Sequence, residues 1–243
     1  MQHAVAAGNT RILTVSTFTF TICFAVWTIF AIIGVKIKEE LGLNDTQFGL
    51  LVAMPILPGP LIRLALGIWT DQIGGRIMLS IVMLAAAAST YALTLVNTYE
   101  MYLVTALGVG IAGGGFSVGV AYVSKFYPKE KQGTALGVFG MGNIGAAVTK
   151  ILAPLVMVAM GWHAVAQIWA IALVITAILF WFLTEDDPSL QERRKSGIKP
   201  DSFLTQLAPL KNIQVWRFSL YYFFVFGAFV ALALWLPRYL IGV

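Results

Sequence analysis

Residues 164–183 read AVAQIWAIALVITAILFWFL, twenty consecutive positions without a charged side chain. As a helix this stretch is about 30 Å long, which matches the hydrocarbon core of a bilayer. Six further apolar runs are long enough to span in the same way: 12–33, 47–69, 77–96, 101–123, 134–158 and 214–237. The sequence therefore predicts an all-α integral membrane protein with seven spanning helices.

The composition excludes several other classes of protein. Hydrophobic residues make up 59% of the chain and charged residues 11%, whereas soluble domains have about 25% charged residues. The lone Cys23 excludes a disulfide framework, and His3 and His163 lie outside the apolar runs, so we expect no metal site and no cofactor. No paired-carboxylate, Ser/His or HExxH arrangement lies in the runs, which argues against an enzyme.

One polar linker divides the chain. Residues 184–213 carry three consecutive acids and then a basic cluster, whereas the connections between the first six runs are short. We therefore expect a six-helix transmembrane bundle over residues 1–185, a cytoplasmic linker over 186–212, and the first helix of an incomplete second bundle over 213–243.

Lys and Arg are distributed unevenly between the two sides of the predicted helices. With the N-terminus inside, the inner segments hold eleven of them: Arg11, Arg76, Lys125, Lys129, Lys131, Arg193, Arg194, Lys195, Lys199, Lys211 and Arg217. The outer side holds Lys36, Lys38 and Arg238. This bias predicts a cytoplasmic N-terminus and explains the net charge of +5 without nucleic acid as a partner. We interpret the 193–199 cluster as a topology determinant; a specific lipid or partner site is the alternative.

Apart from Arg217, counted above with the inner segments, two cations lie inside the apolar runs, Arg63 in the second and Lys150 in the fifth. A charge in mid-membrane costs at least ~2.5–3.5 kcal/mol and often marks a substrate path. No Asp or Glu lies in any run, and a guanidinium in an interior cavity is a good receptor for a small oxyanion. Counted along straight helices, Arg63 lies roughly 10 Å and Lys150 roughly 24 Å from the inner side. Snorkelling toward the headgroups is the alternative for both, and a structural role is a further one for Lys150.

Glycines are concentrated in the fourth and fifth runs, notably in the stretch 140–145, which reads GMGNIG. Glycine lets membrane helices approach closely, so packing is one explanation for them. The Asn143 amide, roughly 14 Å from the inner side by the same count, must find a hydrogen-bond partner inside the membrane. We predict that a polar substrate is that partner; an interhelical hydrogen bond is the alternative.

The stretch 67–76, GIWTDQIGGR, joins the second and third runs. A glycine ends one helix, Asp71 follows, and a Gly-Gly-Arg turn that ends on Arg76 starts the next. We interpret Asp71 as a conformational latch at this junction rather than as a substrate group. A plain helix turn is the alternative.

These ten residues resemble the loop motif G-x-x-x-D-x-x-G-R-K/R of the major facilitator superfamily, with Gly67, Asp71, Gly74 and Arg76 in place and Gly75 inserted. In the fifth run, Gly137-x-x-Gly140-x-Gly142-Asn143-x-Gly145 resembles the nitrate signature of the nitrate/nitrite porter family. The preceding stretch 126–133, FYPKEKQG, and Arg63 four residues before Gly67 resemble that family too.

The resemblance implies roles for individual residues. Arg63 would bind the oxygens of nitrate or nitrite, with Asn143 and Gly140 lining the site and Phe116 stacking on the planar anion. Tyr222 and Phe226 in the seventh run would supply a donor and a second aromatic wall, and Phe24 a further contact. Lys150 resembles the proton-coupled branch and, with Asp71 and Arg76, would serve coupling or gating.

The resemblance also implies a plasma-membrane (inner-membrane) transporter that moves nitrate, nitrite or both by alternating access, as nitrate/proton symport or nitrate/nitrite antiport. Family members have twelve helices, so we expect the chain to be truncated and to need the missing C-terminal half for transport. Another small-anion transporter of the superfamily, or a non-transporting membrane assembly component, is the alternative.

Overall fold

The computed structural model describes residues 2–197 and 203–241, and each regular element in these ranges is a helix. Seven helical stretches within them are long and apolar enough to cross a membrane, which confirms the predicted fold class. We call them spans 1 to 7 in chain order: Thr10–Leu41, Asp45–Ile73, Gly75–Ala92, Tyr99–Ser124, Lys129–Met160, Trp162–Leu183 and Ile213–Leu232.

Four of these described spans are built from more than one helix. Span 1 comprises the helix Gln2–Trp27 from Thr10 onward and the helix Phe30–Leu41. Span 2 comprises Asp45–Ala53, a 3-10 turn Met54–Ile56 and Pro58–Ile73. Span 4 comprises Tyr99–Gly110, a 3-10 turn Ile111–Gly114 and Gly115–Ser124, and span 5 comprises Lys129–Gly140, a 3-10 turn Met141–Ile144 and Gly145–Met160. A 3-10 segment in mid-helix often marks a hinge or a functional site. The breaks fall on proline or glycine-rich sequence in spans 2, 4 and 5.

The breaks of spans 1, 2 and 4 meet at one place. The Trp27 indole donates a hydrogen bond of 2.8 Å to the carbonyl oxygen of Pro55, at the proline break of span 2. A Cβ atom at Gly110 would lie 2.5 Å from that same oxygen, and one at Gly113 would lie 2.9 Å from the indole nitrogen. Span 4 approaches this junction closely only because both positions lack a side chain.

Single glycines make the tightest connections. Gly74, with a φ of 103°, joins span 2 to span 3, and Gly161, with a φ of 84°, joins span 5 to span 6. Both angles lie in the region that side chains disfavour. Between spans 1 and 2, Gly42 ends one helix in the left-handed conformation and Asn44 forms a capping box with Gln47 at the start of the next.

The chain divides into two units, Met1–Ile198 and Lys199–Val243. In the first unit spans 3 and 6 pack along each other, and span 1 contacts spans 4, 5 and 6. Thr149 of span 5 donates to the Ala25 carbonyl of span 1 at 2.6 Å and accepts from the Trp169 indole of span 6 at 2.9 Å. One buried hydroxyl thus ties three spans together through hydrogen bonds, the kind of polar contact that holds membrane helices in place.

The first unit also holds the helix Pro188–Ser196. The second unit contains the short helix Phe203–Gln206, the 3-10 turn Ala208–Lys211 and the long helix Ile213–Ile241, which includes span 7. The Trp216 indole donates to the Leu210 carbonyl at 2.8 Å and so fixes the start of the long helix to the turn before it.

Candidate functional site

Arg63 lies in the Pro58–Ile73 helix of span 2, half-buried at membrane depth. Its guanidinium carbon lies 5.6 Å from the centre of the Phe116 ring on span 4. A guanidinium over an aromatic face is attracted by the ring quadrupole, more strongly where water is excluded. The structure therefore brings together two residues that the family resemblance assigns to one anion site.

Phe116 belongs to a cluster of four phenylalanines. The Phe20 ring of span 1 lies 5.4 Å from Phe116, 5.6 Å from Phe24 and 4.9 Å from Phe139 of span 5, and it stacks on Phe139 at an interplanar angle of 21°. Phe116 and Phe139 are 6.0 Å apart. Offset and edge-to-face pairs at such distances each contribute about 0.5–1.5 kcal/mol beyond burial. The cluster is thus a firm support for the Phe116 ring.

Phe20 and Phe139, which are 1% and 0% exposed, were not predicted from the sequence as residues of the site. The spacing of both residues from predicted site residues could have indicated them. Phe20 lies one helical turn before Phe24, and Phe139 lies four residues before Asn143, so each shares a helix face with a predicted site residue. An aromatic residue in an apolar run gives no further indication of whether it faces lipid, core or substrate.

The signature of span 5 divides into an open side and a packed side. A Cβ atom at Gly137 or Gly140 would meet nothing within 4 Å. At Gly142 it would run into the Phe20 ring, and at Gly145 into the backbone of span 1 at Thr21. Gly142 and Gly145 are therefore packing residues, whereas Gly140 lies beside open space, as a residue that lines a site must.

Asn143 lies within the 3-10 turn of span 5. Its amide nitrogen donates to the Gly140 carbonyl at 2.8 Å, within its own helix. The interhelical hydrogen bond that the sequence left open is not found among the described residues. The Asn143 side-chain oxygen is buried and accepts no hydrogen bond from the described part of the chain. A buried acceptor without a donor is costly, and a site that takes up a polar or hydrated ligand can relieve that cost.

Lys150 lies one turn into the Gly145–Met160 helix and is half-buried. In the described residues its ammonium forms no ion pair, hydrogen bond or ring contact, with the Arg63 cluster or elsewhere. The structure thus keeps Lys150 apart from the arginine and aromatic group.

Asp71 and Arg76 lie where span 2 ends and span 3 begins, here called the motif end of the bundle. The Asp71 carboxylate pairs with Lys125 of the span 4 terminus at 2.8 Å, and Lys125 lies 3.7 Å from the buried Asp187 carboxylate. Arg193 donates to the Asp71 backbone carbonyl. Asp187 also caps the Pro188–Ser196 helix at Leu190 with a bond of 2.8 Å. The linker helix is therefore fastened to the loop motif through Lys125.

Arg76 has a different partner from Asp71. Its guanidinium lies 4.4 Å from the centre of the Trp181 ring and donates to the Trp181 carbonyl through Nε and Nη2. That carbonyl belongs to the last turn of span 6, where backbone oxygens lack helical partners. Arg76 thus caps span 6 and favourably opposes the negative end of its helix dipole.

Tyr222 and Phe226 lie in the second unit, on span 7. Their rings stack with centroids 5.1 Å apart and an interplanar angle of 13°, the pairing that residues four apart on a helix favour. Tyr222 is 41% exposed. The two predicted residues thus form a single aromatic surface on span 7.

The sequence profile of the Major Facilitator Superfamily matches residues 15–243. The chain belongs to the major facilitator superfamily. A solved structure, that of a bacterial homolog of the human lysosomal transporter Spinster in its inward-facing and unoccupied conformation, superposes with a TM-score of 0.66. It is 19% identical, covers 74% of this chain and 44% of the other, and therefore supports the fold alone.

Curated relatives within the superfamily are nitrate and nitrite transporters by name. The chain is 42% identical to the probable nitrate/nitrite antiporter NarK1 of Thermus thermophilus, over 96% of this chain and 54% of that protein. It is 32% identical to the nitrite extrusion protein of Bacillus subtilis (90% and 53%) and 30% identical to the probable nitrate transporter NarT of Staphylococcus epidermidis (94% and 57%). The resemblance to the nitrate/nitrite porters is confirmed, and the chain spans about half the length of these relatives.

Membership of this superfamily, together with the seven apolar spans, makes the chain a multi-pass membrane protein of a transporter family rather than of an enzyme family.

Proposed function

We propose that the chain supplies one wall of a transport site for nitrate and nitrite. The observation that carries the proposal is the Arg63 guanidinium held over Phe116, 5.6 Å from the ring centre, beside a phenylalanine cluster at membrane depth. The names of the curated relatives support nitrate and nitrite as the anions. A planar forked guanidinium matches a planar oxyanion better than a point charge does.

In this proposal each residue of the site has a physical task. Arg63 donates to the anion oxygens, and Phe116 offers a flat apolar face against the plane of the anion. The open side of span 5 at Gly140 gives the anion a smooth wall, and Asn143 presents its amide to the same path. Tyr222 and Phe226 of span 7 are proposed, from the family resemblance, as further anion-binding residues of the completed transporter.

Transport would follow from rocking of two half-transporters about this site. The N-terminus is proposed to be cytoplasmic, from the bias of Lys and Arg, which places the motif end on the inner side of the plasma membrane. The Asp71–Lys125 pair would then form and break with the conformational cycle. Partly exposed pairs contribute only about 0–1 kcal/mol, a strength suited to a contact that must open repeatedly.

The test is uptake of labelled nitrate and nitrite into proteoliposomes, with the chain completed by a matching second half. Arg63→Lys keeps the charge and removes the fork, so we expect uptake to collapse while helical content and Tm stay unchanged. Arg11→Lys is the matched control, because it makes the same change at an exposed arginine outside the site. Normal uptake by Arg63→Lys would refute the proposed anion site.

The same preparation separates the mechanisms. Uptake that depends on a proton gradient directed into the vesicles indicates proton symport. In that case we expect Lys150→Met to abolish the dependence. Uptake that needs nitrite inside the vesicles, whatever the pH gradient, indicates exchange. Equal uptake of chloride or formate would contradict a nitrate and nitrite site and favour a broader anion carrier.

A further inference from the structure

The surface between spans 3 and 6 carries an apolar groove of about 200 Å³. It is lined by Ser80 and Leu84 of span 3 and by Ala177, Ile178, Trp181 and Phe182 of span 6. The groove exists because Ser80 and Ala177 are small where their neighbours are large. The Ser80 hydroxyl donates a hydrogen bond of 3.0 Å to the Arg76 carbonyl oxygen. Because this hydroxyl is already bonded within its own helix, it does not make the groove hydrophilic.

The groove has a direction. Arg76, Ser80 and Leu84 are spaced four residues apart and therefore lie along one face of span 3. From Arg76 to Leu84 the helix rises about 12 Å, close to the roughly 15 Å of hydrocarbon in one leaflet. The groove thus starts at the motif end, beside Arg76 and Trp181, and runs into the membrane for most of one leaflet.

Large apolar side chains at the rim stay uncovered. Phe182 is 78% exposed, Ile178 51% and Leu84 48%. None of the residues assigned to the anion site lies on span 3 or span 6. This surface is therefore separate from the transport site already described.

The Arg76 guanidinium lies at the motif end of the groove and has N–H groups left over for a ligand. Of the five N–H groups of a guanidinium, the Trp181 carbonyl engages two on Arg76, through Nε and Nη2. The remaining three meet no acceptor among the described residues, and no carboxylate of those residues lies within 4 Å of Arg76. The Trp181 ring beneath the guanidinium excludes water from one face, which strengthens its attraction for an anion.

We propose that this groove binds one anionic phospholipid, with the phosphate on Arg76 and one acyl chain along the line from Ser80 to Leu84. The charge of Arg76 selects the headgroup, because one basic residue at a membrane surface favours an anionic lipid by about fivefold. The apolar walls select the chain. Because the lipid bridges the head of span 3 and the end of span 6, it would stabilise the pair as one body.

The test is native mass spectrometry of the chain, delipidated in detergent and titrated with palmitoyl-oleoyl phosphatidylglycerol or with the phosphatidylcholine that carries the same chains. Wild type should bind the first phosphatidylglycerol about fivefold more tightly than the phosphatidylcholine. Arg76→Gln keeps a donor for the Trp181 carbonyl but removes the charge, and it should bring the ratio to about one. Lys129→Gln removes an equal charge on span 5 and should leave the ratio unchanged.

A second variant tests the groove without touching the charge. Ser80→Leu fills the groove and should weaken binding of both long-chain lipids, with helical content and Tm as checks on folding. Dihexanoyl phosphatidylglycerol, which lacks the long chain, should compete poorly with the long-chain lipid. The proposal is overturned if Arg76→Gln keeps the preference for phosphatidylglycerol, or if neither filling the groove nor shortening the chain weakens binding.

Discussion

Span 5 contains two pairs of glycines, three residues apart within each pair, and the two pairs have opposite surroundings. Gly137 and Gly140 face open space, whereas Gly142 and Gly145 lie against span 1 so closely that a Cβ atom would enter its atoms. The step of two residues between the pairs enters the 3-10 turn Met141–Ile144 and turns the helix by about 200–240°, which places the pairs on different sides. The same residue type thus provides a contact surface on one side of the helix and a free wall on the other.

The largest expected effect comes from breaking the packed side at Gly145. Gly145→Ala places a methyl group against the Thr21 carbonyl and the Ala25 nitrogen, and backbone atoms cannot move aside as a side-chain tip can. We expect a loss of about 3 kcal/mol, high in the range for overpacking, measured by denaturation in mixed micelles. Gly137→Ala is the control: its stability should stay level or rise by up to about 1 kcal/mol, since Ala favours helix. Equal losses in both variants would remove the distinction between the two sides.

A smaller effect is expected at Gly142, where the obstacle is the Phe20 ring rather than backbone. Gly142→Ala should cost about 1–2 kcal/mol. In a Phe20→Ala background the ring is gone, so the same change should cost much less. A double-mutant cycle measures this difference directly. Additive effects would mean that Phe20 is not what limits the space at Gly142.

The smallest effect on stability is expected on the open side. Gly140→Ala should change the free energy of unfolding by less than about 0.5 kcal/mol, because the new methyl group meets nothing. If the open side lines the proposed anion path, the same methyl group should raise the KM for nitrate of the completed transporter roughly tenfold. An unchanged KM would place the anion path elsewhere, while leaving the packed side of span 5 as described.

The sequence was sufficient to predict the spans but not the ends of the helices. Hydropathy located the seven spans, because twenty apolar residues have few other stable environments. It did not locate helix ends: span 1 continues through Lys36 and Lys38 to Leu41, with Lys36 paired to Glu39 at 2.6 Å. Charged residues can extend a helix beyond the bilayer, whereas hydropathy detects only the apolar part of the helix that lies within the bilayer.

Which glycines of span 5 pack against span 1 and which face open space could not be predicted from the sequence, for a physical reason. Which glycine packs depends on how span 5 is rotated against span 1 and on the 3-10 turn Met141–Ile144 that shifts the phase between its two halves. The Arg63 and Phe116 pair was anticipated through the family resemblance. The supporting rings Phe20 and Phe139 were not, since their surroundings come from three different spans.

The one-residue connection at Gly74 bears on how the chain enters the membrane. With a φ of 103° at this residue, and Leu190 within 2.6 Å of where its Cβ would lie, spans 2 and 3 have no slack between them. We therefore expect spans 2 and 3 to enter the bilayer during biosynthesis as a single hairpin. A reporter for mapping topology therefore belongs in the connection around residues 93–98, where the chain turns more gradually, because any insertion at Gly74 would split the hairpin before it could insert.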